Sequence, residues 1–424
     1  MDIAIIGAGY VGLVTAGGLA SIGHRVRVGE IDADRVERLR RGEVPIYEAG
    51  LAELLSRATE RDLISYHTSN PEAVAGSRFV FLCLPTPEGD DGRADLRYID
   101  QVVEELANEV DEKTVFVIKS TVPPGTTTAL RKRLADLGSP ARVVSHPEFL
   151  REGRAVEDFL EPDRLVVGAF DDADADAVAA IYRTLDTTVV KTDPTSAEMI
   201  KYASNSYLAA RLTYVNTLAA VCEAVGADVQ DVITGMGLDH RIGNHFLQPG
   251  PGYGGSCFPK DTIALIAVAE DAGYDFELLR SVIKADDDQR RRVADKVRQA
   301  AGGGLRGRRV AMWGIAFKAG TDDVRESPAL RIAALLQEEG AEVVAYDPEA
   351  SSELVRIAPD PVTAAEDADV LLVTTEWPEF SAVDMNQVAK VLKGHRVVDA
   401  RNVLDPASVR SAGLDYWGLG RPGV

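Results

Sequence analysis

The residues best equipped for covalent chemistry gather in P-G-P-G-Y-G-G-S-C-F-P-K-D-T, Pro249 to Thr262, where a single thiol, Cys257, is followed by Lys260 and Asp261. A thiolate attacks carbonyl carbon readily, and an amine or carboxylate nearby can hold or move protons. Gly250, Gly252, Gly254 and Gly255 lack a Cβ and let the backbone approach a ligand, while Pro249, Pro251 and Pro259 stiffen the path and predict that it stays out of helix and central strand. Alone, the stretch reads equally as a rigid mount for one nucleophile and as an ordinary glycine-rich surface loop. Lys201 and Asn205 form a second candidate group, four residues apart in a proline-free run from Thr195 to Gly226 and therefore on one helix face. Without context such a pair is more often a solvated face.

The elements that must position these groups begin at the N-terminus. Ile3–Ile6 is a short apolar run ending in G-A-G-Y-V-G, with Gly7, Gly9 and Gly12; Leu13–Ser21 reads as a helix closed by Gly23, and Arg25–Val28 as a strand leading to Glu30. Strand, glycine turn, helix, strand and acid make a dinucleotide-binding unit. Gly7 allows the tight turn, Gly9 the approach of backbone to pyrophosphate, and Gly12 close packing of helix on strand. Glu30 stands where a carboxylate binds the ribose 2′-hydroxyl and repels a 2′-phosphate, so NAD is expected over NADP, although Arg25, Arg27 and Arg35 lie nearby.

Further strands are expected at Phe79–Leu82, running into C-L-P-T-P, at Val115–Ile118, running into K-S-T-V-P-P-G, and at Arg142–Val144, running into H-P-E-F-L-R-E-G. Ligands of open parallel sheets sit beyond the carboxyl ends of the strands, which singles out Pro85, Thr86, Thr121, Glu148 and Glu152. In the helical run Met199, Ala203, Leu208, Leu212, Val215, Leu218 and Cys222 recur at helical spacing, and a helix this long between two α/β regions is a natural dimer contact. After A-G-G-G-L-R-G-R-R a third region opens with strand Val310–Trp313, G-I-A-F-K-A-G-T-D-D-V-R-E-S-P, a helix from Pro328 to Glu339 and strand Glu342–Tyr346. There A-D-V-L-L-V-T-T-E-W echoes S-R-F-V-F-L-C-L-P-T near the N-terminus. The expected fold is α/β, two Rossmann-like parallel-sheet domains joined by a central helical domain with a long helix, divided at 1–194, 195–300 and 301–424. Lacking GxGxxG, the last region should hold a different phosphate ligand.

A chain of 424 residues exceeds the roughly 250–300 at which one core stops growing. Its net charge of −21 argues against nucleic acid or an anionic membrane as main partner, yet a local arginine cluster or helix N-terminus can still bind a small anion. Cys83, Cys222 and Cys257 form no CxxC and no disulfide framework, no leader precedes M-D-I-A-I-I-G, and no apolar run is long enough to span a bilayer, so a cytoplasmic protein is expected. Cys83 and Cys222 read as small core hydrophobes, Trp313, Trp377 and Trp417 as packing, and no His/Cys spacing calls for a metal.

Together G-A-G-Y-V-G, G-E-V-P-I-Y-E-A-G-L, K-S-T-V-P-P-G-T, H-P-E-F-L-R-E-G, K-Y-A-S-N, R-I-G-N-H-F-L, G-Y-G-G-S-C-F-P-K-D-T and G-I-A-F-K-A-G-T-D-D-V-R-E-S-P resemble, in order and spacing, the UDP-glucose and GDP-mannose dehydrogenase family over essentially the whole chain. The resemblance implies oxidation of the C6 alcohol of a nucleotide sugar to a carboxylate with two NAD, through a thiohemiacetal and a thioester that water then hydrolyses. It makes Cys257 the nucleophile, and Lys201 and Asn205 the groups that stabilise the oxyanion. Asp261 and Thr121 become holders of a water, and Glu148 an acid or base. It places Gly7, Gly9, Tyr10, Val11, Gly12, Glu30, Arg35, Pro85, Thr86, Thr121, Glu152 and Lys260 at the cofactor. Around the substrate it places Glu148, Phe149, Leu150, Glu152, Lys201, Asn205, Phe246, Leu247, Tyr253, Gly254, Cys257, Phe317, Lys318 and Arg401, with Arg241 reaching the substrate site of a neighbouring subunit in a homodimer or larger homo-oligomer.

Some positions depart from commoner family forms. Gln248 replaces a lysine directed at the diphosphate, His146 stands in H-P-E-F where many relatives have N-P-E-F and reads as a neutral variant, and C-L-P-T-P also occurs in branches acting on other nucleotide sugars. S-C-F-P-K-D-T favours UDP-glucose over GDP-mannose and UDP-N-acetylmannosamine. The competing readings are the same chemistry on those sugars, a non-catalytic nucleotide-sugar binder, which would have lost Cys257, Lys201 or Asp261, and a hydroxyacid-type dehydrogenase, which needs neither Cys257 nor a third region.

Overall fold

Short apolar runs bounded by glycine, proline and polar residues become strands, and the central ones, Phe79–Leu82, Val115–Ile118 and Val370–Val373, are buried on both faces and therefore show no alternation. The computed structural model describes residues 1–422. The first eight strands are β1 (Asp2–Ile6), β2 (Arg25–Gly29), β3 (Ile64–His67), β4 (Phe79–Leu82), β5 (Val115–Ile118), β6 (Arg142–Ser145), β7 (Arg164–Gly168) and β8 (Thr188–Thr192). They form one sheet in the order β3-β2-β1-β4-β5-β6-β7-β8. Ile3 sits between Val26 and Phe79, and only the β6–β7 pair is antiparallel. Strand order reverses between β1 and β4, the position at which such sheets open a crevice for ligands.

Helix α1 (Tyr10–Ser21) starts earlier than the sequence predicts, because the glycine turn closes at Gly9 and leaves Tyr10–Gly12 as its first turn. After β5 the chain passes through K-S-T-V-P-P-G into α2 (Thr126–Asp136), whose N-cap, Gly125, has φ +97° and no side chain to offer. The cap comes from α3 (Pro194–Val225): Glu198 accepts hydrogen bonds from the Gly125 amide at 2.6 Å, the Thr127 amide at 2.7 Å and the Thr127 hydroxyl at 2.5 Å.

Along α3 the buried face carries Lys201, Asn205, Ala209, Thr213, Asn216, Ala219 and Cys222, while Met199, Tyr207, Tyr214, Val221 and Val225 lie exposed on the opposite face. The apolar series expected from spacing thus divides between two faces: Val215 and Cys222 are buried, Met199 is exposed. Next come α4 (Phe258–Asp271) and α5 (Glu277–Ala300). Pro259 therefore does not keep its stretch out of helix. It occupies the first turn of α4, where a missing N–H costs nothing.

The remaining strands, β9 (Arg309–Trp313), β10 (Glu342–Tyr346), β11 (Arg356–Ile357), β12 (Val370–Val373), β13 (Arg396–Asp399) and β14 (Asp415–Gly418), make an all-parallel sheet in the order β11-β10-β9-β12-β13-β14. The two sheets open alike. Gly7, at φ +101°, donates its amide to Gly29 carbonyl at 2.8 Å, and Gly314, at φ +92°, donates to Tyr346 carbonyl at 2.7 Å. By contacts the chain packs as two units, 1–204 with 263–273, and 205–262 with 274–424. Buried Trp313 donates its indole N–H to Pro361 carbonyl, the packing role expected of it.

Replacing Glu198 by alanine strips the cap from α2 and leaves the buried Thr127 donors unpaired. We expect Glu198→Ala to lower the free energy of unfolding by about 2–4 kcal/mol, read from urea transitions, whereas a loss under about 0.5 kcal/mol would show that the cap does not hold the loop.

Candidate active site

In the first unit the glycine turn is closed on one side and open on the other. A Cβ on Gly12 would stand 1.9 Å from Gly7 carbonyl oxygen and one on Gly7 2.5 Å from Cys83 carbonyl oxygen, so both positions need glycine for packing. A Cβ on Gly9 would meet no protein atom within 4 Å: that face is open, at the N-terminus of a helix with no side-chain cap. Free amides and the positive end of α1 face that space, which fits the pyrophosphate of NAD. Glu30 accepts from the Ala8 amide at 3.1 Å and the Asp32 amide at 3.0 Å, with Arg35 3.7 Å away. These bonds fix the carboxylate and leave it lone pairs for ribose hydroxyls. Tyr10 hydrogen-bonds Glu48, which also accepts from the Gly153 amide at 2.6 Å and the Ala155 amide at 2.7 Å. Glu48, in the P-I-Y-E-A-G-L motif, thereby ties the glycine turn to the segment carrying Glu152. Val11 and Glu152 are half-buried.

The loops after β4, β5 and β6 are stitched together. Thr86 hydroxyl donates to Thr121 carbonyl at 2.9 Å and Ser120 hydroxyl to Leu84 carbonyl at 2.7 Å, while Pro85 stays exposed. Beside them Glu148 and Lys201, 5% and 3% exposed, form an ion pair at 2.8 Å, and the Leu150 amide donates to the other carboxylate oxygen at 2.6 Å. Burial works against the Glu148 carboxylate, but Lys201, the Leu150 amide and Lys119 outweigh it and hold its pKa below the usual value. Phe149 packs under the guanidinium of Arg164, 3.7 Å from the ring centre, with the Lys201 ammonium at 5.3 Å. His146 is fully buried, its ring bonded to Val166 carbonyl at 2.6 Å and Tyr182 hydroxyl at 3.0 Å. Burial and Lys119 push its pKa far down, so the ring is uncharged.

The second unit holds the thiol. Cys257 directly precedes α4, and its carbonyl accepts the Asp261 amide at 2.9 Å, so the sulfur lies at the positive end of a helix, where negative charge is favoured. Asp261, fully buried, is held by Asn205 amide at 2.6 Å on one oxygen and Lys260 ammonium at 2.7 Å on the other. Cys83 and Cys222 are buried, and burial lifts the Cys83 thiol to about 12, leaving it inert.

The loop before Cys257 is clamped from both sides. Asn216 accepts the Gly250 amide at 2.8 Å, Gln289 donates to Gly250 carbonyl at 2.8 Å, Asp286 accepts the Tyr253 amide at 2.9 Å and Arg290 donates to Tyr253 carbonyl at 3.0 Å. A Cβ on Gly254 would stand 2.4 Å from Glu326 carbonyl oxygen, and one on Gly255 2.9 Å from the Phe317 ring. Phe258 lies between Phe246 and Tyr253, with centroids 6.4 and 6.3 Å away, and Leu247 is buried. Lys318 follows β9, Glu376 follows β12 and Arg401 follows β13, all beyond the carboxyl ends of adjacent strands. Arg401 donates to Thr374 and Phe317 carbonyls, each at 3.0 Å, and pairs with Glu376 at 3.1 Å. Arg241 is different. It lies exposed, paired with its neighbour Asp239 at 2.6 Å, and meets none of the other candidates within the second unit. Sequence reasoning missed Glu48, Lys119, Asp286 and Gln289, each of which looks like an ordinary polar residue until its partners are known.

The chain is similar to known proteins over nearly its whole length. Residues 1–186 match the NAD binding domain of the UDP-glucose/GDP-mannose dehydrogenase family, residues 195–288 its central domain and residues 311–406 its UDP binding domain. The chain is similar to the UDP-glucose 6-dehydrogenase of Rhizobium meliloti (strain 1021), 41% identical and covering 100% of both chains. It is likewise similar to the UDP-glucose 6-dehydrogenase TuaD of Bacillus subtilis (strain 168), 40% identical over 100% of this chain and 94% of the other. Among solved structures it resembles a UDP-glucose dehydrogenase from the hyperthermophilic archaeon Pyrobaculum islandicum, with a TM-score of 0.92, 37% identity and coverage of 99% of this chain and 98% of that one.

The clamp on the cysteine loop should report on pH. Burial lifts the Asp286 carboxyl from 3.8 to about 6 against the pull of Arg290 and the Tyr253 amide. Folded, the chain binds this proton more tightly than unfolded, so the contribution of Asp286 to stability falls as pH rises from about 4 through 6 and is constant above. Asp286→Asn keeps an acceptor for the Tyr253 amide, and Arg290 keeps Asp287 at 2.6 Å. In urea unfolding at a series of pH values the variant should gain on the native chain by about 1–3 kcal/mol across that window and run parallel above it; a pH-independent difference would contradict the assignment.

Proposed function

Because the chain belongs to the UDP-glucose/GDP-mannose dehydrogenase family, we propose that it oxidises the C6 alcohol of UDP-glucose to the carboxylate of UDP-glucuronate. It is an NAD-dependent nucleotide-sugar dehydrogenase. The observation that carries the finer reading is the buried Asp261 carboxylate, gripped by Asn205 and Lys260 in the helical turn that Cys257 opens. A buried carboxylate fixed beside a thiol at a helix N-terminus suits a nucleophile whose product must later be hydrolysed.

In the first oxidation the C6 hydroxyl gives up its proton to a base and C6 its hydride, leaving an aldehyde. Bound NAD supplies the hydride acceptor in this step and in the second. The Cys257 thiolate then adds to the aldehyde carbon, and the new C–S bond converts the carbonyl oxygen to an oxyanion that the Lys201 ammonium and Asn205 amide stabilise. Loss of the second hydride from that carbon gives a thioester. Water, held by Thr121 and Asp261 and deprotonated with the help of Glu148, adds to the thioester carbonyl; the C–S bond breaks, the thiolate leaves and the carboxylate remains.

The cofactor falls to Gly7, Gly9, Tyr10, Val11, Gly12, Glu30, Arg35, Pro85, Thr86, Thr121, Glu152 and Lys260. The nucleotide sugar falls to Phe149, Leu150, Phe246, Leu247, Tyr253, Gly254, Phe317, Lys318 and Arg401 with the catalytic groups. The functional division at 1–194, 195–300 and 301–424 assigns these parts to cofactor, catalysis with dimerisation, and nucleotide sugar. A homodimer through α3 is supported by the exposed Met199, Tyr207, Tyr214, Val221 and Val225 face, and exposed Arg241 would then serve the partner's site. A cytoplasmic location is supported by three free thiols; no helix among the described residues is long and apolar enough to cross a membrane.

The test is turnover with UDP-glucose, GDP-mannose and UDP-N-acetylhexosamines, each with NAD and NADP. We expect about two NAD reduced per UDP-glucose and little use of NADP. Cys257→Ser should lose on the order of 10³-fold or more in turnover while still binding NAD; an unimpaired variant would sink the thioester route, and preference for another sugar would move the substrate assignment.

A further inference from the structure

A cavity of about 210 Å³ lies wholly in the second unit, between α3, α5 and the segment that follows β14. Its floor is the clamp on the cysteine loop, seen from behind. Asn216 and Gln289, each 3% exposed, spend one amide atom on Gly250 and line the cavity with the rest of their side chains. Asn216 Nδ2 and Gln289 Oε1 have no hydrogen-bond partner among the described residues, and neither atom is sealed from solvent. One buried donor and one buried acceptor therefore stand open to whatever enters, where a site made only for packing would satisfy them. Leu419 and Gly420 form a wall: the Gly420 amide donates to Glu223 at 2.7 Å and its carbonyl accepts the Val229 amide at 2.8 Å.

The charges lining this cavity are matched except for one. Lys296 pairs with Glu223 at 2.9 Å and Asp295 with Arg298, whereas Arg292 makes no ion pair or side-chain hydrogen bond among the described residues. Glu223 takes both of its bonds on Oε1, and Lys296, an ammonium with three donors, pairs with Glu223 alone. Unspent groups are thus cationic N–H donors for an anionic oxygen, together with Asn216 Nδ2 as a neutral donor and Gln289 Oε1 and Glu223 Oε2 as acceptors for hydroxyl groups. The volume is below the roughly 300 Å³ at which pockets for drug-sized ligands begin, which admits a monosaccharide-sized molecule and excludes a nucleotide sugar. We propose that this cavity binds a small hydroxylated anion, of the class of sugar phosphates and sugar acids, and that its occupation stiffens the loop carrying Cys257. The coupling runs through two amide groups: a ligand on Asn216 Nδ2 and Gln289 Oε1 fixes the planes whose other atoms hold the Gly250 amide and carbonyl.

The test is calorimetric titration with glucose 1-phosphate and with glucuronate, which separate the two sources of the anion. Inorganic phosphate and glucose, which carry only the charge or only the hydroxyls, serve as controls, and UDP-glucose is present without NAD to occupy the nucleotide-sugar site. Arg292→Ala removes the unpaired charge and Ala220→Phe fills the cavity; both positions line it and lie outside the catalytic groups and the loop clamp, and thermal unfolding checks that the variants fold. We expect at least one of the two anions to bind the native chain with a Kd below about 1 mM, and each control to bind about tenfold or more weaker. That affinity should fall about tenfold or more in Arg292→Ala and vanish in Ala220→Phe. The bound anion should also slow hydrogen exchange over 249–257 about threefold or more in the native chain and in neither variant. No binding of either anion at about 10 mM, binding unaltered by both substitutions, phosphate binding as tightly as the hydroxylated anions, or loop exchange unchanged by a bound anion would each overturn the proposal. Should Ala220→Phe not fold, Arg292→Ala decides alone. None of these measurements reads turnover, so their failure leaves the catalytic reading standing, and failure of that reading leaves them interpretable.

Discussion

Taking a charge out of water is the costliest thing this chain does, and the arrangement of its functional groups follows from how each buried charge is met. Glu148 and Lys201 would each be penalised by several kcal/mol alone; joined at 2.8 Å, with the Leu150 amide on the second carboxylate oxygen, the pair is tolerated, and both side chains lose their freedom to move. Asp261 is treated in the same way, one oxygen to Asn205 and the other to Lys260. Such bonds hold the groups in place before any ligand arrives, which is the condition under which electrostatic stabilisation is strong.

The same constraint separates the two sheets, which otherwise share a plan. Gly7 and Gly314 make the same left-handed turn with the same backbone bond to the end of the neighbouring strand, and each is served by an acid at that end, Glu30 or Asp347. Glu30 spends its oxygens on two amides and retains capacity for a ligand. Asp347 accepts the amides of Ile315, Ala316, Glu349 and Ala350 and faces the Trp377 indole as well. A carboxylate has about four lone-pair sites, so Asp347 is saturated by its own protein and has nothing to offer a ribose. One glycine turn is open to a dinucleotide while the other is a closed structural corner, and under the proposed function the nucleotide sugar is met instead by Lys318 and Arg401 beyond β9 and β13.

Most of the architecture was legible because it is local. A four-residue apolar run before a glycine, or an acid after the next strand, fixes strand, turn and helix without reference to anything distant, and these read true for β1, β2 and β10, while α1 begins a turn earlier than expected. What was not legible depends on partners far away in sequence. Lys119 looks like a polar loop residue until the buried His146 ring is seen against it, and Asp286 lies among other aspartates of α5 with nothing to mark it as the one that takes the Tyr253 amide. Helical spacing found α3 but could not divide its apolar residues between two faces, because exposure of Met199 and burial of Val215 are decided by neighbours. Pro259 misled for a simpler reason: proline breaks a helix interior but is at home in a first turn.

The glycine-rich stretch shows what such long-range constraints accomplish. Glycine there is usually associated with mobility, yet Gly254 and Gly255 are required because Glu326 carbonyl and the Phe317 ring already occupy the space of a side chain, and Gly250 is held on both its amide and its carbonyl. The loop is thus rigid through close contact and does not depend on its own side chains for order. Under the proposed function, a Cys257 nucleophile mounted in this way would lose little entropy on attack, so the rigidity that the clamp from Asn216, Asp286, Gln289 and Arg290 confers would itself favour the reaction.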